Sequence, residues 1–311
     1  MDSGRERLTY VYLETSNFCN LDCKFCNRRQ VVKEPRNMSL EDWDAVLGKL
    51  SGEPITEAKL MGLGEPFLCP DFPQVCKRFK EEFPKAFVIS ATNCQYKLGD
   101  TFKKALPYID LLYLSVDGYK ENYEIDRKGA TWDRLITFLD DLKGVDTGRT
   151  RIAVNYVVTD KNYKDIEKIN KLVNEKYKYV EEVRLNIAQW WGEDEDIKFD
   201  FSDDFYSTLE RYRKNVKGKS PWTYSDCFWP KKGFYMDVNG DVKICCLNTS
   251  TEPIGNIFKS SLDEILLAPK RLQVATECAL DRPGKHCLKC DYKKLSPTLK
   301  KILRPGAGEN K

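Results

Sequence analysis

Three cysteines, Cys19, Cys23 and Cys26, are separated by three and then two residues in the stretch Cys19-Asn20-Leu21-Asp22-Cys23-Lys24-Phe25-Cys26. Thiols this near in sequence rarely meet disulfide geometry with one another, whereas thiolates select iron–sulfur clusters, zinc or copper(I). A four-iron cluster normally takes four Cys, so three leave one iron without a protein ligand. An open coordination position marks a catalytic metal more than a structural one. The alternative is a zinc site completed by a distant residue. A second group, Cys227, Cys245, Cys287 and Cys290, brings thiols from two separate segments, the last pair as Cys287-Leu288-Lys289-Cys290. Such a set closes a tetrahedral zinc site or a four-iron cluster, and spacing does not choose between them. The only histidine, His286, adjoins Cys287, so a Ser-His-Asp hydrolase is not expected.

The first loop, with Phe25 as the aromatic residue before its third Cys, resembles the cluster-binding loop of the radical S-adenosylmethionine (radical SAM) superfamily. The resemblance implies that SAM chelates the open iron of a [4Fe-4S] cluster through its amino and carboxylate groups. Reductive cleavage then gives methionine and a 5′-deoxyadenosyl radical. Gly64-Glu65-Pro66 resembles the family's GGEP element, with Leu63 in place of its first Gly. Gly64 would allow close backbone approach, and Glu65 would pair with the SAM ammonium. By the same resemblance Ser115 and Asp117 reach the ribose hydroxyls and the methionine end of SAM; a plain β-turn at Asp117-Gly118 is the alternative. Asn155, and Arg184 with Asn186, are further candidates to face the cofactor.

Gly240-x4-Cys245, Gly255-Asn256-Ile257, Ser261-Leu262-Asp263-Glu264-Ile265 and the CxxC pair are together similar to the SPASM/twitch extension of radical SAM proteins. The likeness is to the shorter twitch form of the aminocyclitol dehydrogenase branch, which implies one auxiliary [4Fe-4S] cluster on Cys227, Cys245, Cys287 and Cys290. Five of the twelve Cys remain: Cys69, Cys76, Cys94, Cys246 and Cys278. Cys76 reads as a small buried hydrophobe. Cys94 stands where relatives commonly carry Gly after Thr-Asn, and is read as a hydrogen-atom donor to a substrate radical, with Cys246 and Cys278 as rivals.

The elements that must position these residues alternate between strand and helix. Strands are expected at Tyr10–Glu14, Ile55–Met61, Phe87–Ala91, Leu111–Val116, Arg151–Val158 and Glu182–Ala188. Helices are expected from a capping box at Ser39/Asp42 through Leu50, around Phe72–Phe79, at Thr131–Leu142 and at about 163–176. Six β-α units predict an α/β chain with a parallel sheet, and the resemblance makes it a partial (β/α)6 TIM-like barrel with a small C-terminal SPASM/twitch domain. Reactive residues then belong at the C-terminal strand ends, where the Cys loop, Gly64-Glu65-Pro66, Cys94 and Asp117 all fall. Val238-Asn239-Gly240-Asp241-Val242 predicts a hairpin. The domains read as 1–204 for the barrel, 205–226 for a bridging helix and linker, 227–295 for the cluster-binding extension and 296–311 for a flexible tail. Aromatic residues gather at Trp190-Trp191 and at Trp222, Phe228 and Trp229, and read as an interface core before a stacking platform.

A net charge of +3, with Lys and Arg scattered, argues against a nucleic-acid surface. No apolar run approaches a membrane span and the N-terminus shows no signal peptide, so a cytoplasmic protein with metal-bound Cys is expected. The resulting expectation is a radical SAM oxidoreductase that dehydrogenates or epimerises a hydroxylated small molecule of the sugar or aminocyclitol type, reduced by a flavodoxin or ferredoxin. The single-cluster extension favours that substrate class, as do the mere eighteen residues before Cys19. A peptide-modifying maturase is the second reading, and a non-catalytic zinc-stapled module the third.

Overall fold

The computed structural model describes residues 6–188, 199–215, 227–246, 251–280 and 287. Six strands, β1 (Tyr10–Leu13), β2 (Glu57–Leu60), β3 (Phe87–Thr92), β4 (Leu111–Ser115), β5 (Arg151–Val158) and β6 (Val180–Ile187), pair in parallel in sequence order. Helices Leu40–Leu50, Phe72–Glu82, Trp132–Leu142 and Ile166–Lys176 provide four of the five crossovers, and the short helix Asp100–Ala105 lies in the one from β3 to β4. This is the expected mixed α/β, TIM-like half of the fold. Short helices at Arg28–Val31, Asp100–Ala105 and Glu121–Asp126 were not expected; at four to six residues they are too brief to show a helical repeat.

Period-two alternation divides the sheet into two faces. Val11, Leu13, Ala58, Leu60, Val88, Leu112 and Leu114 pack outward with Trp43, Phe72, Phe79 and Phe138 of the helices in one large core. Ile89, Leu111, Tyr113 and Ala153 form a separate cluster, joined by Met61 and Ala91, on the inner face. By register, Tyr10, Tyr12, Glu57 and Lys59 also belong to this inner face.

The sheet does not stop at β1. Strand β7 (Gly233–Met236) pairs with β1 in parallel, Leu13 opposite Met236. Strands β8 (Asp241–Lys243) and β9 (Gly255–Asn256) follow antiparallel, completing the order β6-β5-β4-β3-β2-β1-β7-β8-β9. The β7–β8 turn is the hairpin expected from Asn239-Gly240, with Gly240 at φ +81°. The sheet therefore runs through the boundary expected at residue 226. Helix Asp203–Asn215 lies where the bridging helix was expected; residues 216–226 and the 296–311 tail lie outside the described residues.

One local expectation is corrected. Ser39 Oγ accepts from the Asp42 N–H at 3.0 Å, but the Asp42 carboxylate pairs with Arg36 at 3.0 Å instead of reaching back to the cap. The reciprocal capping box is at Ser261 and Glu264.

Candidate active site

The loop that follows β1 carries Cys19, Cys23 and Cys26, all half-buried. N–H donors meet each sulfur. The Leu21 N–H lies 3.4 Å from Cys19 Sγ, Asn93 Nδ2 lies 3.8 Å from the same sulfur, and Arg127 Nη1 lies 3.9 Å from Cys23 Sγ. The Arg28 backbone N–H donates to Cys26. Burial pushes all three thiols up, Cys23 to about 12. The donors oppose that shift and favour the thiolate, the form that ligates iron. Among the described residues no three His, Cys, Asp or Glu side chains converge as ligands of a single ion. A four-iron cluster takes each thiolate on a different iron, so it asks for no such convergence. A half-exposed all-thiol loop with N–H groups turned to its sulfurs fits a [4Fe-4S] cluster.

The Gly64-Glu65-Pro66 turn closes directly on this loop. Glu65 N–H donates to the Phe18 carbonyl at 2.8 Å. A Cβ at Gly64 would overlap the Ser16 carbonyl oxygen and lie 2.6 Å from that of Phe18, so the glycine is required by close approach of two backbones. Pro66 opens a short 3-10 helix, and Glu65 caps it by accepting from the Phe67 N–H at 3.3 Å. The other carboxylate oxygen accepts from the Asn93 N–H at 2.6 Å. Burial pushes Glu65 up to about 7, against the hydrogen bonds from Asn93, Thr92 and Phe67. A cation brought beside it would restore the carboxylate, as the ammonium of SAM would.

Glu14, at the end of β1, was not singled out in the sequence. It is buried, and its Oε1 accepts from the Leu63 N–H at 2.6 Å and its Oε2 from the Val238 N–H at 3.1 Å. One carboxylate thus ties the Gly64-Glu65-Pro66 turn to the β7–β8 hairpin. A Cβ at Gly62 would overlap the Glu14 side chain. The signal was an acid closing a strand whose alternate residues face inward.

Asn93 is a second site residue that no sequence motif marks. Its side chain donates to Asn20 Oδ1 at 2.8 Å and accepts from the Gln95 N–H at 2.8 Å. Cys94, next to it, is fully buried at φ +60°, with its thiol 3.8 Å from the Thr92 carbonyl. Its backbone adopts the left-handed region that glycine occupies without strain, and its sulfur lies in the core. Hydrogen donation needs a thiol on the open face, and the structure does not put Cys94 there.

Asp117 is fully buried and holds Arg127, itself buried, through Nε at 2.6 Å and Nη2 at 2.5 Å. Its other oxygen accepts from the Val157 N–H at 2.6 Å. Burial raises the Asp117 pKa, and Arg127 opposes the rise. Arg127 in turn stacks over the Phe25 ring at 5.7 Å. Asp117 therefore positions a cation against the Cys loop. Ser115 and Asn155 are register partners on β4 and β5. Asn155 Oδ1 accepts from Asn186, and Arg184 donates to the Tyr113 hydroxyl while lying 5.3 Å from that ring.

In the C-terminal part, Cys227 and Cys287 pack with Cys278, Ile244 and Val274, and Cys278 Sγ lies 3.9 Å from Cys287 Sγ. Cys278, a rival hydrogen-donor candidate by sequence, thus joins the cysteine-rich site. Cys245 is half-buried after β8. Cys290, His286, Trp190, Trp191 and Trp222 lie outside the described residues. Phe228, which is exposed, and Trp229, which is half-buried, pack on Tyr10 with ring centroids 5.0 and 4.8 Å away where β7 joins β1. The half-buried Cys246 thiol acts electrostatically on Tyr10, Tyr12 and Lys59, and Tyr12 also responds to Cys26.

The profile of the radical SAM superfamily matches residues 13–173, just over half of the chain. The chain belongs to the radical SAM superfamily. A second profile, described as an iron–sulfur cluster-binding domain (SPASM), matches residues 227–291. As a radical SAM/SPASM enzyme the protein uses a [4Fe-4S] cluster and SAM, with auxiliary iron–sulfur chemistry in its C-terminal part. It is 27% identical over 173 residues to the tungsten-containing aldehyde ferredoxin oxidoreductase cofactor-modifying protein of Pyrococcus furiosus, covering 52% of this chain and 47% of that one. It thus spans about half the length of the curated relative it matches. Among solved structures it is similar to anSMEcpe with bound AdoMet (TM-score 0.71, 18% identity, 93% of this chain and 84% of that one). It is also similar to Streptococcus suis SuiB bound to precursor peptide SuiA (0.69, 17%, 87% and 67%) and to BtrN in complex with AdoMet and 2-DOIA (0.51, 17%, 88% and 88%). At these identities the likeness speaks to the fold. Among the described residues no helix is long and apolar enough to cross a membrane.

Proposed function

We propose that this radical SAM enzyme abstracts a hydrogen atom from a hydroxylated small molecule held in the barrel interior, and oxidises or epimerises it. The observation that carries the reading is Tyr12, an inner-face residue on which both Cys26 of the catalytic loop and Cys246, the residue following the candidate auxiliary ligand Cys245, act electrostatically. When bound, the reduced cluster and SAM supply a 5′-deoxyadenosyl radical.

The chain's own residues do the rest. Cys19, Cys23 and Cys26 hold the catalytic cluster. Glu65, fixed by Asn93 and Phe67, receives the SAM ammonium; Arg127, fixed by Asp117, offers a cation to its carboxylate. Ser115 and Asn155, at the C-terminal halves of β4 and β5, face the nucleoside side. Cys227, Cys245, Cys287 and Cys290 hold the auxiliary cluster, which would accept the electron of an oxidation. A low-potential donor such as a flavodoxin or ferredoxin serves the catalytic cluster.

The peptide-bound SuiB structure aligns at a higher TM-score than BtrN, which supports a peptide side chain as the second reading. The test is a comparison of substrates. Reconstituted enzyme with dithionite and SAM should release 5′-deoxyadenosine faster with hydroxylated small molecules than with peptides. Acceleration by peptides alone would overturn the first reading in favour of the second.

A further inference from the structure

Lys59 is an odd residue for the inside of a barrel. It stands on β2 opposite Tyr12 of β1, on the inner face, two residues before Met61 and the turn that carries Gly64-Glu65-Pro66. Its ammonium lies 5.7 Å from the Tyr10 ring and 5.6 Å from the Tyr12 ring. Among the described residues no carboxylate stands within salt-bridge distance of its ammonium; Glu57, two residues back on the same face, acts on it only at longer range. The Arg184 cation of β6 acts against the Lys59 charge, and the Cys246 thiol of the C-terminal segment acts for it. Burial depresses its pKa, and Cys246 and Glu57 only partly oppose that.

A partly buried ammonium with no carboxylate in direct contact is unfavourable, and aromatic faces compensate only in part. An anion beside Lys59 would offset that cost and the repulsion that Arg184 exerts on it. We propose that Lys59 is the substrate anchor of the barrel interior, and that the substrate is a hydroxylated small molecule carrying a carboxylate or a phosphate. Lys59 takes that anion while the tyrosine rings of β1 cover the carbon skeleton, which leaves the far end of the molecule toward the Cys loop. This deepens, and rests on, the reading of the interior as the substrate chamber.

The test is calorimetric titration of the anaerobically reconstituted, SAM-loaded enzyme with glucose, glucuronate and glucose 6-phosphate. The wild type should bind at least one anionic sugar about tenfold or more tighter than glucose, and the tighter of the two names the anion. Lys59→Met should abolish that preference, Lys59→Arg should retain it, and Lys85→Met, at an exposed lysine, should bind as the wild type does. Equal binding of glucose and both anions by the wild type, or an unaltered preference in Lys59→Met, overturns the anchor. 5′-Deoxyadenosine release by the same wild-type preparation with sugars and with peptides separates the two levels. If hydroxylated small molecules accelerate release without anion preference, the anchor alone fails; if peptides alone accelerate it, the underlying reading fails and the anchor with it.

Discussion

The backbone N–H of Asn93 donates to Glu65 Oε2 at 2.6 Å. This one bond ties the end of β3 to the turn after β2. Because the Asn93 side chain also meets Asn20 and lies 3.8 Å from Cys19 Sγ, the same residue couples that turn to the cluster loop. Asn93→Ala keeps the backbone bond and removes the side-chain ones, leaving the Gln95 N–H and Asn20 short of partners. The expected cost is about 1–3 kcal/mol, read by urea unfolding, with weaker SAM binding in the loaded enzyme.

Asp117→Ala should be worse. It strands the buried Arg127 guanidinium, and breaking one side of a buried pair costs about 3–5 kcal/mol. Replacing both, as Asp117→Leu with Arg127→Met, should recover much of the stability and none of the SAM affinity. Denaturant midpoints for the single and double variants, with SAM titrations, separate the two effects.

Glu14 gives a pH dependence with a defined sign. Burial raises it from 4.5 to about 7 in the folded chain, against the Leu63 and Val238 N–H groups. A carboxyl with a raised folded pKa contributes stability that is fully present below about pH 4.5 and lost as pH rises through about 7. The loss across that window should be on the order of 3 kcal/mol. Glu14→Gln should flatten this part of the stability profile; an unchanged slope would assign it to other groups.

Two glycines should respond oppositely to alanine. At Gly64 the new Cβ meets two carbonyl oxygens of the cluster loop, so Gly64→Ala should reduce iron loading and SAM binding together. At Gly48, in the exposed face of helix Leu40–Leu50, nothing lies within 4 Å, and alanine should raise stability by up to about 1 kcal/mol.

Much of this was legible in the sequence. Cys19, Cys23 and Cys26 declare their chemistry by type and spacing, and the six barrel strands follow from apolar runs closed by turn residues. Thr131 and Ser39 cap their helices as their residue types suggest. The pairing of β7 with β1 was not legible, because Leu13 and Met236 meet across most of the chain and parallel pairing leaves no local mark. Asn93, Arg127 and Glu14 were missed for a related reason. Each acts by what tertiary structure brings to it: two backbone N–H groups for Glu14, a buried aspartate for Arg127, the loop of another strand for Asn93. Cys94 misled in the opposite direction, since a thiol in a place favoured by glycine suggested chemistry, and its left-handed backbone and burial are what the structure shows.

The central claim is that two cysteine sets hold two clusters with separate tasks. Iron and zinc analysis with electron paramagnetic resonance, after anaerobic reconstitution, tests it in the wild type and in a Cys19/Cys23/Cys26→Ala variant. The wild type should hold roughly eight iron atoms per chain, as two four-iron clusters require, and should cleave SAM. The triple variant should hold about half that iron, keep one reduced-cluster signal and release no 5′-deoxyadenosine. Zinc in place of iron, or a triple variant with undiminished iron that still cleaves SAM, would contradict the account.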